Sequence, residues 1–218
     1  MKQITQLILI CISALTIYSC SLSSSPTVTT KPVTAVNFTE ATSGGRVTSD
    51  GGDLITSRGI CMSNNPGPTI NDIVIQENSD DFISNITNLI EGTTYYVRAY
   101  ATNSVGTSYG SEEIINTWKL SDTKWAFLLN YGPNNNNYPG DVDFFADGTT
   151  KWDEPSNPGL YTTLGTWSVS GDAISYLFNG DPQALSYIFS GTVVNGNVIS
   201  GVFTWGTDPD KTFTATKY

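Results

Sequence analysis

The chain contains no histidine. That removes the commonest general base near neutral pH and the commonest zinc ligand, and it excludes Ser-His-Asp and Cys-His nucleophilic catalysis. Positive charge is scarce: 10 Lys and Arg stand against 20 Asp and Glu, a net charge of −10. Holding a phosphate backbone requires clustered basic side chains that release counterions, so nucleic acid is disfavoured as a partner. The same acidic surface opposes adsorption to anionic lipid, so any membrane attachment should be covalent. Charged residues make up only 14% of the chain and cysteines number 3.

What is present points to strands. Hydrophobic residues are 39% and aromatics 11%, enough for packed cores and against disorder. Gly, Ser, Thr and Asn are abundant, the mix of short strands joined by tight turns. The expected class is all-β, and 218 residues suffice for one large or two small domains.

The N-terminus reads as an export signal. Lys2 precedes an apolar run, Leu7 to Ile17, which is shorter than the roughly 20 residues of a membrane-spanning helix. It ends in Ile17-Tyr18-Ser19-Cys20. An aliphatic residue, then a small residue directly before cysteine, resembles a bacterial lipobox, although Tyr18 is bulkier than usual. The resemblance implies a signal peptide over 1–19 and acylation of Cys20, which anchors the product in a membrane. Residues 20–32 are Ser/Thr/Pro-rich and read as a tether that buries no core. With Cys11 removed and Cys20 acylated, Cys61 alone remains, so no intramolecular disulfide is expected; Cys61 reads as a small buried hydrophobe.

From 33 to 118, strand-like segments recur at sandwich spacing: Val33–Phe38, Gly45–Ser49, Ser57–Ser63, Ile73–Gln76, Phe82–Leu89, Thr94–Asn103 and Thr107–Thr117. Tyr95, Val97, Ala99 and Ala101 share one face of their segment, Tyr96, Arg98 and Tyr100 the other. Leu89, six residues before Tyr95, resembles the tyrosine corner of fibronectin type III domains, and Asn103-Ser104-Val105-Gly106 is similar to a turn of that family. Ser43-Gly44-Gly45-Arg46-Val47 and Arg58-Gly59-Ile60-Cys61 resemble the variant found in Bacteroidota lipoproteins and adhesins. The tryptophan common in animal members is missing, and Arg58-Gly59 is followed by Ile60, so integrin-style adhesion does not carry over. The resemblance implies an immunoglobulin-like sandwich acting as a spacer.

From 122 to 218, eight strand-like runs follow in successive hairpins: Lys124–Tyr131, Val142–Ala146, Thr149–Asp153, Leu164–Ser170, Ala173–Asn179, Leu185–Val194, Asn197–Trp205 and Lys211–Lys217. Asn195-Gly196 between apolar flanks signals a type I′ turn. The pattern predicts an antiparallel meander closing into a small barrel. By parity, one face carries Trp125, Phe127, Leu129 and Tyr131, then Trp167, Val169, Ile174, Tyr176, Phe178, Leu185, Tyr187, Phe189, Phe203 and Trp205. Phe144-Phe145-Ala146-Asp147-Gly148-Thr149 and Gly165-Thr166-Trp167-Ser168-Val169 resemble the lipocalin-like domain of bacterial lipoproteins. Lipocalins place Gly-x-Trp in the first strand, whereas here it lies mid-domain, which puts an open ligand calyx in doubt.

No acid pairs with a second acid at a derivable distance: Asp141 and Asp143 share a strand face near a turn, and the other neighbours point apart. Asp50-Gly51-Gly52-Asp53 reads as a turn rather than a calcium loop. Catalytic residues, metal ligands and cofactors are not expected. The segment Tyr131 to Gly140, read as a loop rich in Asn and Tyr, has groups that bond hydroxyls and stack on sugar rings. With Trp152, Tyr161 and Trp205, Tyr131 and Tyr138 form the candidate ligand-binding set.

Two functions fit. One is a non-catalytic envelope lipoprotein whose C-terminal barrel binds a small apolar molecule or a glycan, presented on a fibronectin-like spacer. The other is a structural or interaction module with a protein partner and no small-molecule ligand. Ser21-Leu22-Ser23-Ser24-Ser25 lacks the acidic residues that follow the lipidated cysteine in surface-exported Bacteroidota lipoproteins, which favours the periplasmic side of the outer membrane.

Overall fold

The computed structural model describes residues 22–131, 137–156, 158–159, 163–179, 186–205 and 208–218. Among these there is no helix, hence none long and apolar enough to cross a membrane. The described residues form sixteen strands in two parts.

In the first part, β1 (Thr27–Thr34), β2 (Ala41–Ser49) and β5 (Asp81–Ile86) form one sheet in the order β1-β2-β5. β4 (Ile73–Gln76), β3 (Ser57–Ser63), β6 (Thr94–Thr102) and β7 (Thr107–Tyr109) form a second in that order, and β8 (Glu113–Asn116) also pairs with β6. Both sheets feed one apolar cluster, with Val28 and Phe82 from the first and Ile60, Val97 and Ile115 from the second. Alternation on β5 and the burial of Tyr95, Val97, Ala99, Tyr100 and Ala101 on β6 follow from that packing. The Tyr95 hydroxyl accepts a hydrogen bond from the Ile90 amide at 3.0 Å. Cys61 is a buried free thiol, as its sequence context implied.

Two sequence expectations change here. Thr27–Pro32, read as tether, lies in β1, because Thr and Val are good strand formers and β2 pairs with them, Thr30 opposite Gly45 and Lys31 opposite Gly44. The strand expected over Val33–Phe38 therefore ends at Thr34; Ala35 takes φ +50° and turns the chain, so that Phe38 leaves the sheet. The run Thr107–Thr117 is broken into β7 and β8 around Gly110.

The second part is a closed antiparallel barrel of eight strands: β9 (Thr123–Asn130), β10 (Asn137–Phe144), β11 (Thr149–Asp153), β12 (Thr163–Ser170), β13 (Ala173–Asn179), β14 (Ser186–Val194), β15 (Val198–Trp205) and β16 (Asp208–Lys217). Each strand pairs with the next, and β16 closes on β9. Asn195 and Gly196 both have positive φ, 51° and 70°, as a type I′ turn requires. The parity assignment holds: Trp125, Phe127, Leu129, Ile174, Tyr176, Phe189 and Phe203 are buried in one cluster, with Tyr131, Trp167, Phe178 and Tyr187 packed on it. Outward positions include the polar Thr166, Ser168, Ser190 and Ser200 and the exposed apolar Leu128, Leu164, Ile188 and Val202.

β10 starts at Asn137, earlier than the expected Val142, so Tyr138, Pro139 and Gly140 belong to a strand and not to a loop. β11 pairs with β10 only from Asp141 onward, so Pro139 has one neighbour, the edge-like position that tolerates a missing amide donor.

The two parts meet at a closed joint. Phe38 and Leu120 are fully buried in the barrel's cluster, and Trp118 meets Phe38 edge-to-face at 5.6 Å. The Trp118 amide donates to the Asn37 carbonyl at 3.1 Å, and the Glu91 carboxylate accepts from the amides of Leu120 and Ser121 at 3.1 and 3.2 Å. Lys217 Nζ donates to the Lys119 carbonyl at 3.0 Å. The first part thus supplies the barrel's floor.

Candidate functional site

The floor of the barrel carries tight turns at Gly148, Gly171 and Gly196, all at positive φ. At the opposite end, the mouth, Tyr131 and Tyr138 meet each other and Tyr131 meets Phe203, which makes the mouth the candidate site.

Beneath it the interior is filled with rings. Phe127 stacks on Phe213 at 5.3 Å, Phe189 on Phe203 at 5.1 Å and Tyr176 on Phe189 at 5.0 Å. Small residues make the room: a Cβ on Gly191 or Gly201 would come 2.9 Å from the Phe213 ring. Two interior hydroxyls, Tyr176 OH and Thr150 Oγ1, are buried without a well-formed hydrogen bond. Burial raises the Tyr176 phenol above its ordinary range.

At the mouth, Tyr131 follows the end of β9 and Tyr138 lies near the start of β10, with ring centroids 5.0 Å apart and planes at 83°. Tyr131 also meets Phe203 at 5.2 Å. Burial first, then a hydrogen bond with Tyr187 and the neighbouring phenols of Tyr187 and Tyr138, and last the Glu154 charge push the Tyr131 phenol above its ordinary range. It therefore stays a neutral donor and acceptor throughout the neutral region. Tyr138 is 52% exposed, its ring held edge-to-face against Tyr131. Lys211, half-buried on β16 opposite Phe203, has inward parity with Phe213 and Ala215.

The five sequence-derived candidates separate. Tyr131 and Tyr138 come together. Trp152 does not join them at the surface: it is 8% exposed and packs inward against Phe127 and Phe178. The reason is strand parity, since Trp152 alternates with the wholly buried Thr150. Tyr161 lies outside the described residues. Trp205 closes β15, opposite Tyr187 and Asp208, and its side chain lies outside the described set. Sequence reasoning put Tyr187 and Phe203 on the inner face without assigning them to the site; Glu154, whose charge acts on Tyr131, was missed, although counting in twos from Trp152 reaches it.

Asp141 is engaged elsewhere, with Lys124 Nζ at 2.9 Å and the Tyr218 hydroxyl at 2.7 Å. Among the described residues no group of three or more acidic or cysteine side chains converges as a metal centre would require. The Asp50–Asp53 segment is a turn, with Gly51 and Gly52 at φ 75° and 81°. Compared with known proteins, the chain matches no family model and no curated protein.

Proposed function

We propose that this is a non-catalytic, lipid-anchored envelope protein whose barrel mouth binds a ring of a glycan. The observation that carries the reading is the Tyr131–Tyr138 pair, placed at the rim of an interior already occupied by stacked rings. An exposed aromatic face stacks on the C–H face of a sugar, and phenols bond its hydroxyls. The filled interior favours a shallow ring site over a deep cavity for an apolar molecule.

The remaining attributes rest on sequence and architecture together. Acylation of Cys20 rests on its lipobox-like context, and the periplasmic side of a Bacteroidota outer membrane on the absence of acidic residues after it. A fibronectin type III-like spacer is supported by the two-sheet order and by the Tyr95 hydroxyl that bonds the Ile90 amide. A lipocalin-like domain is supported by the eight-stranded up-and-down closure.

Saturation-transfer NMR of the full chain against a panel of oligosaccharides tests the binding reading. Transfer to sugar protons that is lost in Tyr138→Ala supports it; no transfer from any glycan sinks it. A second reading, a structural or protein-interaction module, is favoured by the inward burial of Trp152 and gains ground with that second result.

A further inference from the structure

At the end of the first part remote from the barrel, the chain following Cys20 is fastened down. The Ser24 amide donates to the Gly51 carbonyl at 2.9 Å, and the Ser24 carbonyl accepts from Asn103 Nδ2 at 2.7 Å. The Ser23 hydroxyl reaches the Gly52 carbonyl at 3.4 Å. Asn103 is buried, and its amide also donates to the Asp50 carbonyl at 2.8 Å while Oδ1 accepts from Val105 N and Gly106 N. One side chain thus ties the N-terminal approach to two turns, 50–53 and 103–106. On this small assembly three apolar side chains stand in solvent: Leu22 is 90% exposed, Leu54 77% and Val105 50%.

We infer that this tip is a bilayer-contact face, with Leu22, Leu54 and Val105 resting in the interfacial layer of the membrane that holds Cys20. The inference rests on the lipid-anchor reading of Cys20. Reach selects the occupant. Four peptide steps separate Cys20 from the pinned Ser24, and an extended chain spans at most about 3.6 Å per residue, so roughly 14 Å is the greatest separation from the acylated residue. The polar layer of one leaflet is about 5–8 Å deep, so the tip stays at or just above it. Apolar side chains held there gain by entering the headgroup boundary. Asp50 and Asp53 share the tip, so a zwitterionic surface suits it better than an anionic one. β1 runs from the tip to the joint, and the joint closes the barrel floor. Contact at the tip therefore turns the barrel mouth away from the bilayer.

The test uses acylated full-length protein in phosphatidylcholine vesicles that contain phosphatidylcholine brominated on its acyl chains. All five tryptophans of the parent lie at Trp118 or beyond, so the parent is its own background. Leu54→Trp and Val105→Trp each add a reporter at an exposed site, and either suffices should the other fold poorly. Vesicle flotation with loss of the added emission, and unchanged parent emission, is the expected result. Flotation with undiminished added emission overturns the contact face while leaving the anchor intact. Parent protein that fails to float refutes the anchor and the contact face together.

Discussion

The indole of Trp152 occupies the space that any side chain on Gly140 would need: a Cβ there would lie 1.8 Å from Cζ2 of the ring. The two residues sit on neighbouring strands, Gly140 opposite Phe127 and Trp152 opposite Val142. Gly140→Ala must push the indole or bend β10, and overpacking of this kind costs about 2–3 kcal/mol. Urea unfolding followed by tryptophan fluorescence should show that loss; an unchanged midpoint would mean the ring is mobile.

The orphaned hydroxyls of Tyr176 and Thr150 bring a burial cost without the return of a good hydrogen bond. Tyr176→Phe is therefore expected to leave stability unchanged or raise it by about 1 kcal/mol, unlike most core substitutions. A loss of the size of a cavity mutation in a denaturant melt would show that the hydroxyl is satisfied in solution.

Phe38 belongs to the first part by chain and to the barrel by packing. Its removal opens a hole in the barrel floor, so Phe38→Ala should cost about 3–5 kcal/mol and be felt by Trp118, which meets its ring. Calorimetry of the parent should accordingly give one cooperative transition. Two well-separated transitions, with Phe38→Ala moving only the first part, would contradict a shared core.

Burial pushes the Cys61 thiol up to about 11 from an ordinary value of 9.0. The folded protein therefore holds the thiol's proton more tightly than the unfolded chain. The stabilisation is fully present below pH 9 and is lost as pH rises through about 11. Native protein should resist thiol reagents at pH 8 and react once unfolded, and Cys61→Ala should flatten the alkaline decline in stability. Fast labelling of the native state would show an accessible thiolate.

Much of this fold is legible in residue order. Alternation placed the inner face of the barrel from Trp125 to Phe203, and Asn195-Gly196 announced its hairpin, because period two and positive φ are local properties. Composition misled in two places. Thr27 to Pro32 reads as tether until Gly44 and Gly45 supply a partner, and Tyr138 to Gly140 reads as loop until β9 pairs with it. Pairing across distance is not written in either segment alone.

The candidate site shows the same division. Local patterning alone established an all-β chain without histidine chemistry, its strand phases, and a buried Cys61. Which aromatics meet was decided by closure of the barrel: it turned Trp152 inward onto Gly140, left Tyr138 at the rim beside Tyr131, and drew Phe38 across from the other part. Those outcomes depend on register between strands far apart in sequence, and register is set by which side chains fill one shared interior.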